Sequence, residues 1–134
     1  MAVIVATTTQ IAVLKPEQSD IQPLIAAVDL IAGQPVHFAI TGRVGLADAD
    51  AAAPANTVRG IALQTASAGT LVDVLKRGHV AGFAVAALSA GTSVFVDNAG
   101  ALNDVAGTAT LRIGSVVALT DGDGTKVLYV DISW

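Results

Sequence analysis

The chain has 134 residues, 53% of them apolar and only 13% charged, with a net charge of −4. That length fits one domain burying roughly 65–70% of its unfolded surface, and it carries more apolar side chain than a small domain can hide. An acidic chain with its basic residues scattered is not built to grip a nucleic-acid backbone, and a chain without cysteine has no disulfides, thiolate metal sites or cysteine nucleophile.

The start, Met1-Ala-Val-Ile-Val-Ala-Thr-Thr-Thr-Gln10, lacks a basic segment and is interrupted by threonines, so no secretion signal is expected. Val3, Ile4, Val5, Ile11, Val13 and Leu14 make residues 1–15 an apolar arm or set of edge strands. Exposed to water it would cost about 25 cal/mol per Å², so it either adds a strand to a partner or closes its own fold. Residues 16–134 read as a single β domain.

Asp20 precedes Ile21, Leu24, Ile25 and Val28, a capped i, i+3, i+4, i+7 stripe that allows one short helix. Elsewhere, runs of Val, Ile, Leu and Thr are broken every 8–12 residues by Gly, Asp, Asn or Pro, the pattern of a β-sandwich or barrel. Strands are expected near 3–6, 11–14, 35–40, 58–64, 71–76, 79–87, 93–96, 110–119 and 126–132. Residues 47–57, rich in Ala and Asp around Pro54, read as a loop or a single helical turn.

The uncharged stretch 78–96 is long enough to raise a membrane question, but four glycines, His79 and Ser89-Ala-Gly-Thr-Ser93 break it into two strands and a turn. Asp97-Asn-Ala-Gly100 and Asp121-Gly-Asp-Gly124 suit tight hairpins, and the second predicts that 110–119 pairs with 126–132.

An internal repeat is visible. Leu30-Ile-Ala-Gly-Gln-Pro-Val36 returns 58 positions later as Leu88-Ser-Ala-Gly-Thr-Ser-Val94. Gly60-Ile-Ala-Leu63 is echoed by Val116-Val-Ala-Leu119, and 68–74 by 123–131. Two copies are too few for a solenoid, so two similar β units should share one compact domain.

Chemistry-bearing residues are sparse. His37 and His79 have no His or Glu at ligand spacing, and Asp121-Gly-Asp-Gly124 begins like a calcium loop but has Lys126 and Ile132 where the loop needs Gly and Glu. Asp48 and Asp50 sit among alanines and read as solvated carboxylates. Ser115 follows Gly114 but lacks the second glycine of a nucleophile elbow. No catalytic residue, cofactor or metal is expected, and with aromatics limited to Phe38, Phe83, Phe95, Tyr129 and Trp134 a ligand-binding barrel is the weaker alternative.

The strand and Ala-Gly turn, then Gly60-Ile-Ala-Leu-Gln-Thr-Ala-Ser-Ala-Gly69, Leu71-Val-Asp-Val-Leu75 and Gly78-His-Val80, resemble the small capsid decoration, or cement, proteins of tailed bacteriophages. The resemblance covers roughly residues 30–132. It implies a β-barrel-like homotrimer on the outer surface of a virion, made in the host cytoplasm, that bridges major capsid proteins. No membrane or nucleic-acid contact is implied. Gly33, Gly60, Gly69, Gly78 and Gly91 fall at its turns and close approaches. A tail, fibre or baseplate component would share the same composition.

Overall fold

A computed structural model describes residues 3–14, 17, 19–97, 100–106, 110–118 and 126–132. The chain is mainly β, an antiparallel sheet curled into a half-barrel, and the one helical element lying wholly within those residues is a 3-10 turn at Thr8–Gln10. The strands are β1 (Val3–Ile4), β2 (Ala12–Leu14), β3 (Asp20–Ile25), β4 (Pro35–Phe38), β5 (Val44–Leu46), β6 (Gly60–Ala62), β7 (Leu71–Ala81), β8 (Ser93–Val96), β9 (Leu102–Asn103), β10 (Leu111–Ala118) and β11 (Lys126–Asp131). They run β1-β9-β8-β10-β11-β7-β6-β4-β5 across the sheet, with β2 and β3 also pairing with β7.

β7 is the hub because it serves two cores. Val72 and Val74 enter a cluster with Ala26, Leu30, Val36, Val44 and Ala62, whereas Leu75 and Val80 enter a larger one with Val94, Ile113, Val116 and Leu128. A strand alternates faces with period two, so 75 and 80 could not share a face in a regular ladder. Pairing with β3 jumps from Asp20–Arg77 to Ile21–Leu75. Lys76 is thus the extra residue of a bulge, which re-aims the second half of the strand. Sequence reading split this strand in two at Gly78, where φ is +146°.

The helix allowed at 21–28 is a strand. Asp20–Ile25 pairs with β7 along its length, and Pro23 stands opposite Asp73. Asp73 turns its carbonyl to Leu63 N at 2.8 Å, so this pair exchanges no ladder bonds and a proline without N–H is tolerated. The helical stripe fails because Asp20–Ile25 satisfies its backbone by pairing with β7; Pro23, in what would be the first turn after Asp20, does not by itself forbid a helix.

The expected hairpin is present as β10 and β11, in register from Gly114–Val130 to Ala118–Lys126. Its turn at 121–124 lies outside the described residues, as does Trp134. Residues 47–57 form turns, as expected of a loop. Sequence reading missed β5 and β9, three and two residues long, whose hydrophobic pattern is too short to show.

The two β units are real, and the backbone shows how they correspond. Gly33 N donates to Ala62 O at 2.7 Å and Ala62 N to Gln34 O at 2.8 Å; Gly91 N donates to Val116 O at 2.7 Å and Val116 N to Thr92 O at 2.9 Å. Gly33 and Gly91 share φ values of +95° and +93°, which glycine adopts without cost. Phe38 pairs with Val44 as Val96 pairs with Leu102, and Val36 with Gly60 as Val94 with Gly114. Gly60 therefore corresponds to Gly114, not to Val116 as the letters of the sequence suggest. β4 to β7 form one unit and β8 to β11 the other.

Candidate functional site

The N-terminal residues lie in the chain's own sheet. Val3 and Ile4 pair with Asn103 and Leu102, Val5 O accepts from Ala84 N at 2.9 Å, and Thr7 N donates to Gly82 O at 2.8 Å. This strand therefore runs between β9 and residues 82–84 and ties the second unit together. Ile4 is buried in the larger core, where Ile11 and Val13 pack partly buried. Val13 and Leu14 pair with Val80 and His79. Among the large apolar residues of the arm whose burial is described, Val5 is exposed, at 61%.

The singled-out glycines act through the backbone. Gly33, Gly69, Gly78 and Gly91 all have positive φ, and Gly60 marks a close approach, where a Cβ would meet Leu75 O at 2.7 Å and press into Val74 Cγ1.

The histidines take structural positions. His37 Nδ1 donates to Leu46 O at 3.0 Å across the β4–β5 hairpin, and the His79 ring lies 4.8 Å from that of Tyr129 on the neighbouring strand. Asp48 Oδ1 accepts from Asp50 N at 3.1 Å, and the hydrogen bond between the two carboxyls, helped by charge repulsion, raises the Asp50 pKa above its usual 3.8. Among the described residues no three His, Asp or Glu gather in a way that could hold a metal ion, and no helix is long and apolar enough to cross a membrane.

A groove of about 260 Å³ runs between the N-terminal strand and the turns of both units, lined by Ile4, Ala6, Ile31, Gly33, Gln34 and Leu102 among others. It lies below the 300–1,000 Å³ usual for small-molecule sites, and no charged side chain lines it among the described residues.

The more telling surface is a set of exposed apolar side chains. Ile25 (40% exposed) stands directly opposite Leu71 (66%), with Val28 (46%) further along the chain, while Ile40 (94%) caps the β4–β5 hairpin. The end of β3, the start of β7 and the tip of the β4–β5 hairpin all lie at one end of the first unit, since Ala26 bridges Val44 and Ala27 N donates to Val44 O at 2.7 Å. Side chains facing one way on paired strands are held by the ladder, so this apolar surface is pre-shaped and loses little entropy on contact. Sequence reading did not single out Ile25, Leu71 or Ile40 for binding; only their place past the ends of buried runs hinted at it. Comparison with protein-family models, curated proteins and solved structures finds no match for this chain.

Proposed function

We propose that this chain is a non-enzymatic structural protein that binds the outer surface of a phage capsid as a homotrimer and stabilises the shell by bridging major capsid proteins. The observation that carries this reading is the set of exposed large apolar side chains, Ile25, Leu71, Val28 and Ile40, at one end of the first unit, with Ile25 and Leu71 opposite each other on paired strands. Patches of this kind mark surfaces that meet another protein. The resemblance of 30–132 to capsid cement proteins supplies the identity of the partner.

The physics asks little of such a protein. Several weak contacts on one rigid trimer raise the effective concentration at each site, and binding the assembled shell alone stabilises it by mass action. Virion localisation follows from that role, and neither cofactor nor substrate enters it.

Co-sedimentation of the purified chain with purified capsids tests the reading. Saturable binding with hundreds of copies per particle supports decoration. A few copies at one vertex would instead favour a tail, fibre or baseplate component.

A further inference from the structure

One N-terminal segment closes both β units. Residues 3–27 run antiparallel alongside 69–84: Thr7 N donates to Gly82 O at 2.8 Å, Ala12–Leu14 pairs with 79–81, Asp20–Ile25 pairs with 71–77, and Ala26 N donates to Thr70 O at 2.9 Å. At its two ends this strap also reaches the last strand of each unit. Val3 and Ile4 pair with β9, and Ala27 N donates to Val44 O of β5. The rest of the sheet, from β9 across β7 to β5, is open without it.

The two halves of the strap are held differently. Ile4 is a buried anchor, but from Val5 to Leu14 no side chain is buried, although Val80 and Phe83 beside it belong to the larger core. The second half ends in Ala26, which is fully buried and bonded to both Thr70 O and Gly69 N.

Between the halves there is length to spare. Leu14 stands opposite His79 and Asp20 opposite Arg77, so six positions of strap span two positions of β7. Six extended residues reach about 20 Å, whereas two residues of strand advance roughly 7 Å. The first half can therefore occupy a place up to about 20 Å from Asp20 while β3 keeps its own.

Lifting the first half would leave a slot with backbone on both walls, β9 on one side and residues 82–84 on the other. Unpaired strand edges recruit another strand, and this slot is cut for one sequence. Ile4 must enter the core. Residue 6 must be small, because a Cβ on Gly33 would already lie 3.0 Å from Ala6 Cβ, and Gly82 passes so close that a Cβ there would lie 2.7 Å from Ile11 Cδ1 and 2.8 Å from Gln10 O. The strand from another molecule that meets these demands is the same segment of a second copy.

We infer that neighbouring copies exchange residues 3–14, each copy closing the second unit of the next with its β1 and β2 while β3 stays with its own chain. Every pairing made within one chain is kept and is made between chains instead, which is why such exchange is a low-cost route to oligomers. Passed in one direction from copy to copy, it closes a ring. The exchange rests on the self-association in the proposed function and names the segment that carries it.

Disulfide trapping in the full chain tests it, and the chain has no cysteine of its own to interfere. Ala12 and Ala81 stand opposite each other on β2 and β7, at the Cα separation a disulfide spans. Chains carrying Ala12→Cys are mixed with mass-labelled chains carrying Ala81→Cys, unfolded and refolded together, oxidised, and weighed without reductant. Disulfides joining residue 12 of one kind to residue 81 of the other should outnumber links between like chains at least tenfold. The double variant Ala12→Cys with Ala81→Cys should oxidise to covalent oligomers. If circular dichroism shows either variant unfolded, Leu14→Cys with His79→Cys, the next pair along the same strands, replaces it.

A double variant that oxidises to monomers with the bond inside one chain, or mixed links no more frequent than links between like chains, would overturn the exchange. Trimers held by intrachain bonds alone would refute it and leave the cement reading standing. Exchanged oligomers that ignore capsids would do the reverse.

Discussion

Gly60 and Gly114 occupy the same place in two successive β units, each pressed against a main-chain carbonyl of the next strand, Leu75 O for one and Tyr129 O for the other. The approach is so close that a side chain at either position would have to displace main chain. These two glycines set the spacing between β6 and β7 and between β10 and β11, and through it the packing of both cores.

Gly114→Ala should therefore destabilise the chain by at least the 1–3 kcal/mol typical of overpacking, because backbone cannot swing aside as a flexible side chain can. Gly42→Ala is the comparison: its Cβ meets nothing, and its cost should be confined to the positive φ, of order 1 kcal/mol. Urea unfolding of the two variants measures both. Equal losses would mean that the close approach at Gly114 is not what holds the strands together.

Leu128 is fully buried in the larger core beside Val80, its partner on β7. Leu128→Ala should cost about 2–5 kcal/mol through lost burial and the cavity left behind. Thermal unfolding should show one cooperative transition at lower temperature, since β7 belongs to both clusters and neither unit can melt alone. Two separate transitions would show the units to be independent.

Asp50 offers a pH signature. Its folded-state pKa is raised, so the ionised form is disfavoured by folding; the associated stability is full below the unfolded pKa and is lost as pH rises through the folded one. The direction follows from the hydrogen bond to Asp48, then burial, then the Asp48 charge. NMR titration should place Asp50 above 3.8, and Asp48→Asn should bring it down. Because Asp50 is at the surface, stability at neutral pH should hardly change.

Leu71 tests the exposed apolar surface. Leu71→Asp places a charge on a residue already 66% exposed, so folding should survive, while affinity for capsids should fall at least tenfold if a burial worth about 1.5–3 kcal/mol is lost. Binding measured by co-sedimentation at several concentrations reads it directly.

Much of the fold was legible in the residues, for identifiable reasons. The runs at 93–96, 110–119 and 126–132 alternate well enough to be strands, and Leu30-Ile-Ala-Gly and Leu88-Ser-Ala-Gly reveal the repeat because both glycines serve the same positive-φ turn. The second half of the repeat slipped by two residues, because Ile61-Ala-Leu63 matches Val117-Ala-Leu119 by letter while the pairing is fixed by Gly60 and Gly114. The stripe at 21–28 imitated a helix since Ile21, Leu24 and Ile25 also suit a strand, and only pairing with β7 decides between them. The surface residues Ile25, Leu71 and Ile40 were not legible: whether an apolar side chain is covered depends on which element packs over it.

The central claim is that this chain works by assembly on a shell, and the most direct measurement is the binding isotherm of the purified chain on purified capsids together with the capsids' melting temperature. The account predicts saturation at hundreds of copies per particle and a shell that melts at higher temperature when decorated. Absence of binding, or binding that leaves the melting temperature of the shell unchanged, would contradict it.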